Sequence, residues 1–340
     1  MKPRAFAALC LLVPVFAFFD VQATSPVRGT WTVEEACSKV VEIQANFRTA
    51  HGQHGDTIKI ARADIKPGAT QGTVQFAIVR AAGTFNFTGT LVEDQGSGQV
   101  EFAANPQFAK EMAELGYSNL SSEDVFRMAM IDVTPQFARD LANVGYSKLP
   151  LEELIRMRIH GADAEFVRAL AGVGFKGLAP EDLIRMRIHD ATPDFIQQMQ
   201  TAGYSGLAPE AVIRFKVHDV TPEFVQQMKQ LGFANLGPEE LVRFKVHDVD
   251  PEFVSQIQKL GFTGLEPESL IRMKIHDVTP EFIAKVKQLG FNNADPDELI
   301  RLRIHDVSPE YIARAQSYQK DITLDEIIQH KVRGDRVEHM

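Results

Sequence analysis

The apolar positions of this chain follow two different periods, and the change between them falls near residue 104. Before it, apolar and polar residues alternate, as at Val41, Ile43 and Phe47. Alternation is typical of strands with one buried face. Beyond it, apolar residues recur three and four positions apart, which is typical of amphipathic helices. The pattern therefore predicts the α+β fold class.

The alternating region predicts a small antiparallel β-domain of about five or six strands. Its further alternating positions are Ile58 and Ile60, then Val74, Phe76 and Ile78, then Phe85 and Phe87. A hairpin is indicated by the run 84–91, a turn over 93–98 that contains Asp, Gly and Ser, and the run 99–102. Such residues between two apolar runs favour a turn between paired strands.

The helical region is an internal repeat with a 29-residue period and no insertion. A glycine followed by Tyr or Phe stands at Gly116, Gly145, Gly174, Gly203, Gly232, Gly261 and Gly290. An aromatic column stands at Phe108, Phe137, Phe166, Phe195, Phe224, Phe253, Phe282 and Tyr311. A fixed period of this size is typical of stacked arrays, in which each unit buries its apolar face against its neighbours.

Each repeat contains the signals of two short helices. The first is typified by residues 180–189, with Pro at its start and acids in its first turn. The second is typified by Thr221 as N-cap and Pro222 as first helical residue, and Gly232 provides a left-handed C-cap. Two helices joined by short links form an αα-hairpin. The sequence thus predicts an α-solenoid of 29-residue αα-hairpin repeats after the β-domain.

These signals divide the chain into four segments. Residues 1–23 form a signal peptide, 24–104 the antiparallel β-domain, 105–318 a half repeat plus seven units, and 319–340 a degenerate C-terminal cap and tail. The half repeat is a second helix that leads directly out of the last strand, so we expect the β-domain to cover the first hairpin. Atypical units at both ends are expected, because terminal repeats have only one neighbour.

The N-terminus carries the marks of export. Lys2 and Arg4 precede a 15-residue apolar run over 5–19, and small residues follow at Val21 and Ala23. A run this short after a basic start is typical of a secretory signal peptide, and it is too short for a comfortable membrane span. We therefore expect a periplasmic or extracellular protein with no stable membrane insertion after signal removal.

Charge and cysteine content narrow the function further. The formal net charge is −9, which disfavours a general affinity for nucleic acid or anionic lipid. Cys10 lies in the signal, so Cys37 remains alone and no intrachain disulfide is expected. Cys37 is interpreted as a buried apolar residue, with a free thiol or an intermolecular link as alternatives.

A first basic column consists of Arg127, Arg156, Arg185, Arg214, Arg243, Arg272 and Arg301. An acid precedes each arginine by four positions: Glu123, Glu152, Glu181, Glu210, Glu239, Glu268 and Asp297. Such pairs within a helix contribute about 0.2–0.5 kcal/mol each. We interpret them as structural pairs, and the alternative is a row of arginines that binds an anionic ligand.

A second basic column consists of Arg158, Arg187, Lys216, Lys245, Lys274 and Arg303. On a helical wheel Arg187 falls between Leu183 and Ile184, inside an apolar arc that also includes Ile188. The long side chain can pass the core and place its charge outside. Pairing with a neighbouring repeat is the favoured interpretation, and a ligand-facing basic stripe is the alternative.

A histidine column consists of His160, His189, His218, His247, His276 and His305, five of them followed by Asp. Histidines one repeat apart are about 10 Å from each other in a stacked array, so they cannot share a metal ion. No Ser or Cys recurs beside them as a nucleophile. A turn residue at a helix end is the favoured interpretation, with Asp bonding to the start of the next helix. A ligand or partner contact is the alternative.

No other motif predicts catalysis or a cofactor. The chain contains no phosphate-binding glycine loop and no His-Glu-x-x-His helix. His51 and His54 form a loose pair, interpreted as part of a solvated loop, with a weak metal site as the alternative. We therefore expect no catalytic residue, no metal and no cofactor.

The unit "LGFxxLxPExLIRxKxHDVTPEF" resembles the repeats of uncharacterised exported bacterial helical-repeat proteins. Similar repeats occur in extracytoplasmic regions attached to membrane metallopeptidases of the beta-lactam-sensor class. The Gly-aromatic, Leu-Ile-Arg, His-Asp-Val-Thr-Pro and Glu-Phe columns carry the likeness from about Asn105 to Tyr311, and "GTFNFTG" and "GSGQVEFAANPQF" extend it. The protease module has no counterpart here. The resemblance implies only an envelope location and a sensing or interaction role.

Together these patterns predict a non-enzymatic repeat scaffold that binds a protein or peptide partner in the cell envelope. The candidate contact residues are the second basic column and the histidine column. The alternatives are a metal- or ligand-binding protein or enzyme that uses the β-domain or the histidines, and a structural spacer.

Overall fold

The computed structural model describes residues 27–36, 39–49, 52–68, 70 and 72–334. The predicted signal peptide, Cys37 and His51 lie outside the described residues. The chain divides into two compact units between Arg139 and Asp140.

The first unit contains a seven-stranded antiparallel sheet in the order β3-β2-β1-β7-β6-β5-β4. The strands are β1 Val27–Ala36, β2 Val40–Thr49, β3 Gly52–Ala61, β4 Lys66–Pro67, β5 Thr73–Arg80, β6 Gly83–Val92 and β7 Gln95–Ala104. A short 3₁₀ turn, Arg62–Asp64, precedes β4. The antiparallel β-domain is confirmed, with seven strands rather than five or six. The alternation in β1 is interrupted by Gly29, which hides that strand in the sequence.

The hairpin of β6 and β7 turns more tightly than its composition suggests. Glu93 and Asp94 alone form the turn, and the glycines expected in the turn pair within β7 instead. Gly98 pairs with Gly89, and the indole of Trp31 lies against both residues. Glycine is needed here because a Cβ on Gly98 would be 2.7 Å from Trp31 Nε1. That nitrogen donates to Thr88 O over 3.1 Å.

Two helices of the first unit follow the sheet. They are α1 Pro106–Glu114, which starts two residues after β7, and α2 Ser122–Met130. The ring of Phe126 in α2 lies 5.1 Å from Phe47, 5.5 Å from Phe102 and 6.1 Å from Phe85. All four rings are buried. The sheet therefore covers the buried ring of α2.

Helices of nine or ten residues fill the rest of the described chain. One helix, α3 Pro135–Asn143, contains the boundary between the units. The others are α4 Leu151–His160, α5 Ala164–Gly172, α6 Pro180–Ile188, α7 Pro193–Thr201, α8 Pro209–Val217, α9 Pro222–Gln230, α10 Pro238–Val246, α11 Pro251–Lys259, α12 Pro267–Ile275, α13 Pro280–Gln288, α14 Pro296–Ile304, α15 Pro309–Tyr318 and α16 Leu324–Arg333. The predicted 29-residue αα-hairpin repeat is confirmed.

Local signals set the ends of these helices. Thr221 caps α9, where its side chain accepts a bond from Phe224 N over 3.2 Å. Gly203 ends the preceding repeat and has a left-handed conformation with φ 99°. Such caps satisfy backbone groups that a short helix leaves without partners. Repeated along the array, they fix where each helix starts and stops.

The core of the second unit forms between repeats. In each first helix three apolar residues are buried, as Leu183, Ile184 and Met186 are in α6. Each such residue contributes roughly 1.5–3 kcal/mol when it leaves water. First helices pack side by side, α4 against α6, α6 against α8, and so on to α16. Second helices contact one another in the same way, as α11 contacts α9 and α13.

None of the described helices is both long and apolar enough to cross a lipid bilayer.

Candidate interaction surface of the helical repeats

The second basic column reaches the preceding repeat. In α6, Arg187 Nε donates to Gly161 O over 2.7 Å, and its guanidinium carbon lies 4.6 Å from the centre of the Phe166 ring. A cation at this distance over an aromatic face is attracted by the negative face of the ring. The helical wheel placed Arg187 among apolar residues. Its guanidinium group nevertheless lies outside the core, above an aromatic ring of the preceding repeat.

The other members of this column behave in the same way. Lys216 Nζ lies 3.1 Å from Asp190 Oδ2, and Lys245 Nζ lies 3.3 Å from Asp219 Oδ2. Arg303 pairs with Asp277 and lies over Phe282. Further ring contacts are Lys216 over Phe195, Lys245 over Phe224, Lys274 over Phe253 and, one unit later, Lys331 over Tyr311. Arg158 stands at the same position of α4, half-buried, and it too has a partner.

This arrangement identifies what holds successive units in register. The aspartate that receives the cation has a positive φ, for example 53° at Asp190 and 54° at Asp219. It ends the first helix in the left-handed conformation: Asp190 N donates to Arg187 O and Ala191 N to Met186 O. This is the Schellman pattern that glycine usually completes, and Gly161 takes the position in α4. The cations thus join neighbouring repeats.

The predicted role of the aspartates was wrong in one respect. They do not cap the next helix, because that bond comes from the residue two positions later, as Thr192 Oγ1 accepts from Phe195 N over 3.2 Å. The short carboxylate tolerates a left-handed backbone better than most side chains do. It then points away from the helix that follows and meets the lysine of the next unit.

Six of the seven arginines of the first basic column form ion pairs between repeats rather than within one helix, whereas Arg127 lies 4.0 Å from Asp124 of its own helix. Arg185 Nη1 lies 2.7 Å from Glu210 Oε2, which belongs to the next first helix along the chain. The remaining pairs are Arg156–Glu181, Arg214–Glu239, Arg243–Glu268, Arg272–Asp297 and Arg301–Asp325. We call these six pairs the Arg ladder. For these six arginines, the expected pairing four residues apart used the correct two columns but the wrong repeat, because adjacent parallel helices bring the next acid closer.

The Arg ladder changes the acidity of its carboxylates. The pKa of Glu210 lies below its ordinary value because Arg185 hydrogen-bonds to it, and Arg214 and His189 add smaller favourable charges. The pKa values of Glu181 and Glu239 are lowered for the same reason. Both partners of each pair remain substantially exposed, so each contributes little to stability by itself.

The histidine column lies at the ends of first helices. His189, His218, His247, His276 and His305 are C-cap residues, and His160 is the last residue of α4. All six are half-buried. A histidine near a helix C-terminus interacts favourably with the partial negative charge there. Their placement matches the predicted helix ends.

The only described histidine with a close polar contact in the sheet is His54. It lies within β3 rather than in a solvated loop, paired with Phe47. Its Nε2 is 3.2 Å from Thr49 Oγ1, which donates to Glu123 Oε1 over 2.9 Å. The imidazole lies 5.9 Å from the Phe126 ring. These contacts tie α2 to the sheet, which is a structural task.

A groove of about 320 Å³ lies beside the histidine column between α10–α11 and α12–α13. His247, Asp250, Glu252, Lys274 and Glu281 are among the residues along it. The described residues contain no group of three or more His, Cys, Asp or Glu side chains placed to hold a metal ion. The groove therefore provides polar walls without a converging set of ligands.

One repeated feature of the structure is not apparent from the sequence pattern. The residue before each histidine is an exposed Ile or Val, although the helical wheel assigns it to the apolar arc. Ile159, Ile188, Val217, Val246, Ile275 and Ile304, with Val332 in α16, are 50–61% exposed. We call these seven residues the aliphatic column. The helices end at this position, so the core of the hairpin does not extend over it.

Comparison with known proteins adds no relative: no protein-family model matches this chain, and no curated protein matches it.

Proposed function

We propose that this protein is an exported, non-enzymatic repeat scaffold that binds a protein or peptide partner in the cell envelope. The observation that carries the proposal is the aliphatic column, a stripe of exposed Ile and Val side chains that recurs from repeat to repeat along the second unit. Contiguous exposed apolar surface on a folded protein marks an interaction site more often than isolated apolar residues do. A surface that recurs with each repeat suits an extended partner.

The contacts that the two basic columns make within the protein support the same function. The second basic column contacts the preceding repeat and the Arg ladder joins first helices, so both are engaged inside the protein. An anionic ligand would have to compete with these carboxylates. The candidate contact surface therefore moves from the basic residues to the aliphatic column and the histidines beside it.

Export and an envelope role rest on the N-terminal sequence and on the resemblance of the repeats. The basic start, the short apolar run and the small residues before residue 24 support secretion. The resemblance to repeats of exported bacterial proteins supports a sensing or interaction role. Neither supports the protease chemistry of the larger proteins that contain similar repeats.

Photocrosslinking in cells of the source organism tests the proposal. A photoreactive amino acid replaces Val217 or Val246 in the aliphatic column, and Val79 or Val92 on the sheet in matched controls. The control residues are 74% and 61% exposed, so accessibility is comparable or higher. We expect discrete protein adducts from the column positions alone. An absence of adducts from Val217 and Val246 would contradict the proposal and favour a structural spacer.

Zinc titration tests the alternative of a metal-dependent binder or enzyme. It compares the wild-type chain with a His218→Ala, His247→Ala variant. We expect weak binding that is the same in both proteins, because the described histidines lack a converging ligand set. Stoichiometric binding that the double substitution removes would contradict the non-enzymatic scaffold.

A further inference from the structure

The aliphatic column is unusual because it recurs where polar residues would be easier to accommodate. Each member occupies the last turn of a first helix, and in α6, α8, α10, α12 and α14 it is the last helical residue. β-branched residues are poor helix formers compared with Lys, Gln or Glu. At 50–61% exposure they also keep apolar surface in water. Seven repetitions of a locally unfavourable choice indicate that something covers these side chains.

The Arg ladder runs beside this column. Within α6, Ile188 follows Arg185 by three positions and Glu181 by seven, and residues at these spacings share one face of a helix. Each rung contributes one positive and one negative charge. The face therefore combines a neutral, alternating charge pattern with a periodic apolar stripe. An acidic membrane or a polyanion gains nothing from such a face, whereas a surface with both charge signs does.

The spacing of the aliphatic column restricts which partners could cover it. First helices pack side by side, so the members of the column are separated by about 8–10 Å. A partner that fills every site must present apolar side chains at the same spacing over seven repeats. An extended strand advances by about 3.3 Å per residue, so its side chains drift out of register unless its sequence is matched. A second copy of this chain has the same spacing by construction.

We propose that the aliphatic column is the contact surface of a two-fold symmetric homodimer, in which a second copy lies antiparallel with its own column against the first. This inference rests on the proposed function as an interaction scaffold and names the partner. In a two-fold interface the same surface of both copies is in contact, and each copy runs in the opposite direction to the other. A row of alternating charges can then place its positive groups opposite the negative groups of the second copy. Full overlap of seven members makes Val246, the fourth, lie at the two-fold axis.

The register follows from this geometry. Val246 contacts Val246 of the second copy, Val217 contacts Ile275, Ile188 contacts Ile304, and Ile159 contacts Val332. The members at the ends of the column are therefore far from their own symmetry mates. That difference between the centre and the ends distinguishes a defined dimer from non-specific association of apolar surface.

Light scattering coupled to size exclusion tests the dimer on the protein as isolated from its host. We expect a concentration-dependent dimer at micromolar protein. A triple variant, Val217→Gln, Val246→Gln and Ile275→Gln, raises the dissociation constant by roughly a hundredfold or more, because it removes apolar contacts from both copies at once. Glutamine favours the helix, so the variant keeps its fold by circular dichroism. The Val79→Gln, Val92→Gln variant is the matched control and remains dimeric.

Thiol crosslinking tests the register, in a background with Cys10→Ser and Cys37→Ser. With a short bis-maleimide, Val246→Cys gives covalent dimers. Ile159→Cys alone gives none, but it is crosslinked when mixed with Val332→Cys. Equal crosslinking of Val246→Cys and Ile159→Cys would contradict the antiparallel register.

A strictly monomeric wild-type protein would overturn the inference outright. In that case the photocrosslinking of Val217 and Val246 decides separately whether the column serves another partner. Adducts to a different protein then leave the proposed scaffold function intact, while their absence removes both. A dimer unaffected by the triple glutamine variant overturns the inference as well, because another surface would carry the association.

Discussion

At the scale of single residues, the aspartate that follows five of the six histidines has two roles that the sequence pattern does not separate. At Asp219 the backbone adopts φ 54° and closes the end of α8, where Val220 N donates to Phe215 O over 2.8 Å. Its carboxylate also lies 3.3 Å from Lys245 Nζ of the next repeat. The backbone task explains why Gly161 can replace it, and the charge task explains why aspartate is the usual choice.

Substitution of Asp219 separates the two tasks. Asp219→Ala lowers the free energy of unfolding by about 1–2 kcal/mol, because alanine is strained in the left-handed region. Asp219→Gly removes the same ion pair but relieves the backbone, so we expect a change of less than about 1 kcal/mol. Urea denaturation of both variants measures the difference. A glycine variant as unstable as the alanine variant would show that the ion pair, and not the backbone, dominates.

At the scale of elements, the first helices are joined by charge as well as by apolar packing. The buried residues of α6, α8 and their neighbours are apolar, whereas the Arg ladder lies at the surface and links each helix to the next. Exposed pairs contribute little each, but six in series respond together to acid. The stability of the second unit should therefore depend on pH through the ladder.

The sign of that dependence follows from the pKa shifts. Hydrogen bonding to arginine lowers the pKa values of Glu181, Glu210 and Glu239 below 4.5. The ladder's contribution is therefore fully present above that ordinary value and is lost as the pH falls through the lower folded-state pKa. An Arg185→Met, Arg214→Met variant should lose less stability than wild type between about pH 5 and pH 3.

Thermal unfolding across this pH range makes the comparison, with Arg168→Met at an exposed site of α5 as control. The control should keep the pH dependence of wild type. Identical pH dependence in the ladder variant would show that other carboxylates govern the acid response.

At the scale of the whole molecule, the repeated unit is the unit of stability. Inside the second unit, each first helix from α6 to α14 packs against the first helices of the preceding and following repeats. The charged columns join neighbouring repeats in the same order. In such arrays the free energy of folding is approximately a sum over units and their interfaces. We therefore expect the protein to tolerate deletion of a complete repeat but not of part of one.

Deletion of residues 219–247 removes one full period and joins His218 to Asp248. We expect a folded protein with a lower free energy of unfolding, because one set of interfaces is lost. Deletion of residues 219–232 removes one helix and places two first helices in sequence, so it should aggregate or remain partly unfolded. Circular dichroism and urea denaturation compare the two. Equal tolerance of both deletions would contradict a core built between complete hairpins.

The sequence alone determined the two fold regions, the repeat, and the ends of most helices. These features follow from local physics: alternation or helical period, N-cap threonines such as Thr221, and left-handed glycines such as Gly203 are read within a few residues. The strand β1 was hidden because Gly29 interrupts its pattern and because one of its pairing partners, β7, lies far along the chain.

Only the tertiary structure decided which equivalent residue each side chain meets. In a chain whose columns recur once per repeat, Glu181 and Glu210 are the same residue type in the same context, and local spacing cannot show that Arg185 pairs with the second. Nor could helical periodicity show that Ile188 is exposed, because its wheel angle is apolar while the neighbouring elements leave it uncovered. Pairing and exposure depend on the distances between stacked helices, which a one-dimensional pattern does not contain.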